Sequence, residues 1–123
     1  MYSPQVLDHF EHPRNAGALH APTISVRLQN PACGDILEIS LRVACGRIEE
    51  VGFLAKGCVA SMACASALTE LAREKSIDEA RGITREELLR AIGGLPPASA
   101  HAASLAMEAL KTALDRLQKP GQQ

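Results

Sequence analysis

Residues 35–72, DILEISLRVACGRIEEVGFLAKGCVASMACASALTELA, decide the fold. From Asp35 to Val43 every second residue is apolar: Leu37, Ile39, Leu41 and Val43 fall on one side. That is the period of a strand with one buried face. Arg47 to Ala55 repeats the pattern less regularly, with Val51, Phe53 and Ala55 inward. Cys45-Gly46 between them reads as a two-residue hairpin turn. After Gly57 the period changes. Ala60, Cys64, Ala67, Leu68 and Leu71 recur at helical spacing, with Glu70, Arg73 and Glu74 opposite.

Working outward, Thr23 to Gln29 alternates cleanly through Ile24, Val26 and Leu28 and supplies another strand. Ahead of it, Ser3-Pro4 followed by Val6, Leu7 and Phe10 predicts a short amphipathic helix, with Ser3 as N-cap and Pro4 at the first helical position. Pro13 ends that helix, and Asn15 to Pro22 reads as a loop. On the other side, Ser76-Ile77-Asp78-Glu79 and Thr84-Arg85-Glu86-Glu87 are capping-box patterns, each opening a short helix. Gly93-Gly94 stops the second, and Pro96-Pro97 follows. A last helix carries Ala102, Leu105, Ala106, Ala109, Leu110, Ala113, Leu114 and Leu117 on one stripe. A run of strands followed by a run of helices predicts an α+β domain: a three-stranded antiparallel sheet with helices packed on one face. One domain is expected over residues 1–118, with 119–123 as a flexible tail.

Composition narrows the function. The 123 residues carry a net charge of −1 and no basic excess, which argues against nucleic acid or an anionic membrane as main partner. Tyr2, Phe10 and Phe53 are the whole aromatic complement, so there is no stacking platform for single-stranded nucleic acid. No apolar run approaches a membrane span and the N-terminus lacks a signal-peptide pattern, so a cytoplasmic location is expected. In that reducing compartment, four cysteines point to free thiols, metal binding or thiol chemistry before disulfides.

Three spots hold side chains of that kind at the tips of elements beside Gly or Pro. They are Pro31-Ala32-Cys33-Gly34-Asp35, Lys56-Gly57-Cys58 and His101. Thiolate, carboxylate and imidazole together suit zinc, or iron in a sulfur-rich cluster. No CxxC pair is present, so spacing alone is a weak signal. Taken singly, Cys33 and Cys58 would be small hydrophobes in turns, Asp35 a turn residue and His101 a solvated first-turn residue.

The wider sequence supplies the context. Tyr2-Ser3 with Val6-Leu7-Asp8-His9-Phe10-Glu11-His12-Pro13-Arg14-Asn15-Ala16-Gly17, then Pro31-Ala32-Cys33-Gly34-Asp35, then Lys56-Gly57-Cys58 with Ser61 and Leu68-Thr69-Glu70, run in order along the chain. Ser76-Ile77-Asp78-Glu79-Ala80, Leu95-Pro96-Pro97, His101 and Leu105-Ala106 continue the series. Over nearly its whole length the chain resembles the IscU/NifU-type family of iron–sulfur cluster scaffolds. The resemblance implies Cys33, Asp35, Cys58 and His101 as cluster or metal ligands, a cysteine desulfurase and apo iron–sulfur proteins as partners, and no enzymatic activity. Two departures are plain. The family's third cysteine would follow His101, where this chain has Ala102. After Pro97, where members served by a dedicated Hsp70 chaperone carry Val-Lys, this chain has Ala98-Ser99, which argues against that partner.

Two leading functions follow. The first is a scaffold holding a labile, transient [2Fe-2S] cluster for transfer to apo-proteins, with His101 or Asp35 completing the thiolate set as His does in Rieske centres. The second is a module stabilised by Zn2+ on Cys33, Asp35, Cys58 and His101, which binds a desulfurase without building clusters. Persulfide transfer by Cys33 ranks last, because no adjacent base is evident. Cys64 shares the apolar stripe and is expected in the core. Cys45 is expected exposed in its turn. His9, His12 and His20 read as structural or surface residues.

Overall fold

The structure, a computed structural model, describes residues 2–30 and 34–117. Helix α1 spans Pro4–Glu11, and the strands are β1 (Ile24–Gln29), β2 (Ile36–Ala44) and β3 (Arg47–Lys56). Helices α2 (Val59–Ala72), α3 (Ile77–Arg81), α4 (Arg85–Ala91) and α5 (His101–Leu117) follow, with a 3-10 turn at Pro97–Ser99 before α5. The sheet order is β1-β2-β3 with both pairs antiparallel. The expected α+β architecture is therefore present. The tail expected over 119–123 lies outside the described residues.

Local chemistry explains the boundaries. Ser3 caps α1, its hydroxyl accepting the Val6 N–H at 3.0 Å, and also donates to the Ile92 carbonyl. The capping box at Ser76 is complete: Ser76 Oγ accepts from Glu79 N–H at 3.0 Å and Glu79 Oε1 accepts from Ser76 N–H at 2.9 Å. At Thr84 the hydroxyl caps the Glu87 N–H at 3.0 Å. The β2–β3 turn has positive φ at Cys45 (54°) and Gly46 (75°), as a right-twisted two-residue hairpin requires. The irregularity of β3 has a cause in a register shift between Arg42 and Val43 of β2. This bulge brings Ile48 and Val51, three residues apart, to the same buried face.

That face carries Val26, Leu37, Ile39, Leu41, Val51 and Phe53. Helix α5 covers β1 and β2, and α2 covers β3. Helix α2 departs from a one-stripe reading. Ser61, Ser66 and Thr69 are buried along with its alanines, because α1, α4, α5 and β3 enclose it. Small side chains let four elements approach one helix. The segment after α1 is also more than a loop. Gly17 N–H donates to the Phe53 carbonyl at 2.7 Å and Phe53 N–H to the Asn15 carbonyl at 3.3 Å, so it pairs along the outer edge of β3. Leu19 N–H donates to Ser40 Oγ at 3.1 Å, and a Cβ at Gly52 would overlap the Gly17 carbonyl. Among the described residues no helix is long and apolar enough to cross a membrane.

A buried polar seam joins α1 to α2. His9 Nδ1 lies 2.7 Å from Ser66 Oγ, which accepts the Arg14 N–H at 2.8 Å. Asn15 Nδ2 donates to Thr69 Oγ1 at 3.0 Å. Burial, and next the Arg14 guanidinium, hold the His9 pKa below its ordinary 6.5, against the opposing pull of Glu70 and Asp8. The unfolded chain therefore takes up a proton near pH 6.5 that the folded chain resists. Stability from this ring is present above pH 6.5 and is lost as pH falls below it. Denaturant midpoints taken from pH 8 to pH 5 should decline over the acid half, and His9→Gln should flatten that decline.

Candidate metal centre

Three segments distant in sequence meet at one end of the sheet. Asp35 precedes β2 in a loop closed by hydrogen bonds from Gly34 N–H to the Asn30 carbonyl (2.7 Å) and from Asn30 N–H to the Asp35 carbonyl (2.8 Å). Cys58 is the N-cap of α2, and its side chain makes no capping hydrogen bond. His101 opens α5. One ligand atom from each of Asp35, Cys58 and His101 lies within 4.8 Å of the others. Of the four expected site residues these three come together. The fourth, Cys33, lies outside the described residues.

Asp35 Oδ2 is the hub. The Ser61 hydroxyl donates to it at 2.6 Å, the Cys58 thiol donates at 3.7 Å, and His101 Nε2 sits 3.4 Å away. The Asp35 side chain is only 6% exposed, whereas that of His101 is 36% exposed. Even so, His101 Nε2 itself is buried and makes no hydrogen bond among the described residues. A buried ring nitrogen without a hydrogen bond, 3.4 Å from a carboxylate oxygen, is the kind of group that a cation would satisfy. The spacing agrees. Tetrahedral bonds of about 2.1 Å to oxygen or nitrogen and about 2.3 Å to sulfur put an oxygen and a nitrogen donor about 3.4 Å apart, and an oxygen and a sulfur donor about 3.6 Å apart. The observed separations from Oδ2 are 3.4 Å to His101 Nε2 and 3.7 Å to Cys58 Sγ. Both separations from Oδ2 suit donors on one tetrahedral ion such as zinc.

Gly57 makes the approach feasible. It has φ +148°, and a Cβ there would overlap Asp35 Oδ1 and lie 2.6 Å from Asp35 Cγ. Ser61 is the residue whose role the sequence does not announce. It sits in the first turn of α2, is 5% exposed, and lies 3.4 Å from Cys58 Sγ as well as 2.6 Å from Asp35 Oδ2. A serine in an alanine-rich helix reads as helix filler. Its spacing of three from Cys58, and its place in the Lys56-Gly57-Cys58 segment that resembles the family, mark its position but not its contact with Asp35.

Ala102 is 2% exposed, so the residue standing where the family has its third cysteine is buried beside His101. Cys64 is not among the residues whose donor atoms converge with Asp35. It is fully buried, and its thiol pKa is pushed up to about 12, by burial first and by the nearby Cys58 sulfur second, with Arg85 opposing. Cys45 is exposed. Thiol alkylation at pH 8 followed by peptide mapping should therefore label Cys45 quickly and leave Cys64 unlabelled until denaturant is added.

The family model described as the NifU-like N terminal domain matches residues 1–122. The chain is 42% identical over 122 residues to the iron-sulfur cluster assembly scaffold protein IscU 1 of Archaeoglobus fulgidus, covering 98% of this chain and 80% of that protein. It is 38% identical over 123 residues to the scaffold protein IscU of Aquifex aeolicus, covering 98% and 78%. Among solved structures, a hypothetical protein at 29% identity superposes with a TM-score of 0.75, covering 90% of this chain and 94% of the other. A protein of Fervidobacterium islandicum, described as a cluster assembly scaffold for the SUF system, shares the fold at 18% identity with a TM-score of 0.78, covering 92% and 96%.

Proposed function

Because the chain belongs to the family of NifU-like N-terminal domains, we propose that it is a carrier, not an enzyme, on which a labile [2Fe-2S] cluster is assembled and then passed to apo-proteins. The observation that carries this reading is the convergence of Asp35, Cys58 and His101 around one carboxylate oxygen, with His101 Nε2 buried and without a hydrogen bond. A [2Fe-2S] cluster takes four protein donors, two on each iron. In this reading Cys33 and Cys58 supply two thiolates, His101 an imidazole and Asp35 a carboxylate, and the three donors that stand at single-ion spacing here spread over both irons when the cluster forms. Two of the four donors are therefore weaker than thiolate toward iron–sulfur cargo. With no third cysteine at Ala102, an apo-protein offering four thiolates outcompetes the scaffold, which is the direction a carrier needs. The sulfur source in this reading is a cysteine desulfurase.

The test is anaerobic incubation of the purified protein with ferrous iron, cysteine, a thiol reductant and a cysteine desulfurase. Visible charge-transfer absorption with iron and sulfide in equal amounts is the expected result. A colourless protein that keeps a single zinc ion and still binds the desulfurase would overturn it in favour of a zinc-stabilised binding module.

A further inference from the structure

We propose that Ser61 is a positioning residue for this site, holding the Asp35 carboxylate in its metal-binding pose. The inference rests on the reading that Asp35, Cys58 and His101 receive a metal. Three observations carry it. The Ser61 hydroxyl has one proton, and it is directed at Asp35 Oδ2 at 2.6 Å, across from α2 to the loop before β2. A serine or threonine within a helix commonly donates back to a carbonyl of its own helix, as Thr69 of α2 does toward the Ser66 carbonyl at 2.6 Å. Ser61 makes the other choice. Finally, the oxygen it grips is the one that faces both Cys58 Sγ and His101 Nε2.

Ser61 does not read as a ligand itself. Two oxygens on one tetrahedral ion stand about 3.4 Å apart, whereas Ser61 Oγ and Asp35 Oδ2 are 2.6 Å apart. The hydroxyl therefore backs the carboxylate. With Gly57 leaving room for the carboxyl group on the Oδ1 side, Ser61 holds it at Oδ2. Outer partners of this kind typically change metal affinity 10- to 100-fold when removed.

The experiment measures Zn2+ affinity of the full chain by competition with a chromophoric chelator, and the visible spectrum of the Co2+ form, for four variants. Ser61→Ala is expected to weaken Zn2+ binding about 10- to 100-fold and to alter the Co2+ bands, in a protein that still folds but with a lower metal-free unfolding midpoint, because a buried carboxylate loses a donor. Ser61→Thr keeps the hydroxyl and should retain affinity close to that of the unmodified protein. Asp35→Ala should weaken binding by itself, and Ser61→Ala added to Asp35→Ala should cause no further loss, because the hydroxyl acts through the carboxylate. A loss of equal size in both backgrounds would mean a general structural role and overturn the proposal. So would unchanged affinity in Ser61→Ala, or a folded Ser61→Thr that loses as much as Ser61→Ala. If Asp35→Ala itself binds Zn2+ as well as the unmodified protein, the assignment of the metal site fails and this inference fails with it.

Discussion

Gly57→Ala is expected to remove metal and cluster retention while leaving the fold largely intact. Two effects combine. At φ +148° an alanine is strained, at about 1–3 kcal/mol. The new methyl would also overlap Asp35 Oδ1, so either the carboxyl group swings out of its place or the Gly57–Cys58 backbone recoils. Both movements break the cluster of donors, the first at Asp35 and the second at Cys58. Gly46→Ala is the control. Its φ is +75° and nothing lies within 4 Å of the added Cβ, so it carries only the left-handed backbone cost of about 1–2 kcal/mol. Zn2+ affinity and unfolding midpoint measured together separate the effects. Gly46→Ala should lower the midpoint and keep the affinity, while Gly57→Ala should lower both, the affinity by about 100-fold or more, as expected for a lost ligand. Equal affinities in the two variants would mean that Asp35 is not held where Gly57 leaves room for it.

Much of this was legible in the sequence because the signals were local. Alternation placed the strands, Ser3 and Ser76 announced helix starts, and Cys45-Gly46 marked the hairpin. Each of these depends on a few consecutive residues and on backbone geometry that leaves little choice. The bulge near Arg42 was visible only as the irregular period of β3. The enclosure of α2 was not visible, since Ser61, Ser66 and Thr69 look polar in a linear reading. They are buried because each finds a specific partner contributed by a distant segment: Asp35, the Arg14 N–H and Asn15.

The site followed the same division. Asp35, Cys58 and His101 could be named from residue type, position at element tips and resemblance, and the three are adjacent in space. What could not be read was the arrangement among them. The choice of Oδ2 as hub, the role of Ser61 and the steric need for Gly57 depend on distances between segments 23 residues or more apart. Residues that tune a site through another side chain leave almost no trace in sequence.

Cys58→Ser separates the two roles of its position with effects of opposite sign. Cys58 is the N-cap of α2 and makes no side-chain capping bond, while the Ser61 and Met62 N–H groups lean on its carbonyl at 3.1 and 3.3 Å. Serine is a preferred N-cap. Its hydroxyl can accept a first-turn N–H of α2, so the metal-free protein should be stabilised, by up to about 1 kcal/mol, and the unfolding midpoint should rise or hold. Metal binding should move the other way. Cys58 contributes the one sulfur among the three converging donors, and a serine hydroxyl is a hard, protonated replacement that zinc and iron–sulfur cargo bind poorly. If the roughly 12 kcal/mol of a four-ligand zinc site is shared evenly, one ligand is worth about 3 kcal/mol, or on the order of 100-fold in affinity. Reconstitution should likewise leave iron and sulfide below about one-tenth of the unmodified protein's content, by the same ligand arithmetic. A variant that is more stable without metal and fails to keep metal would confirm that Cys58 is held in place to bind cargo and not to cap a helix. A variant that keeps iron and sulfide would remove Cys58 from the ligand set, and the scaffold reading would lose the thiolate on which its described site depends.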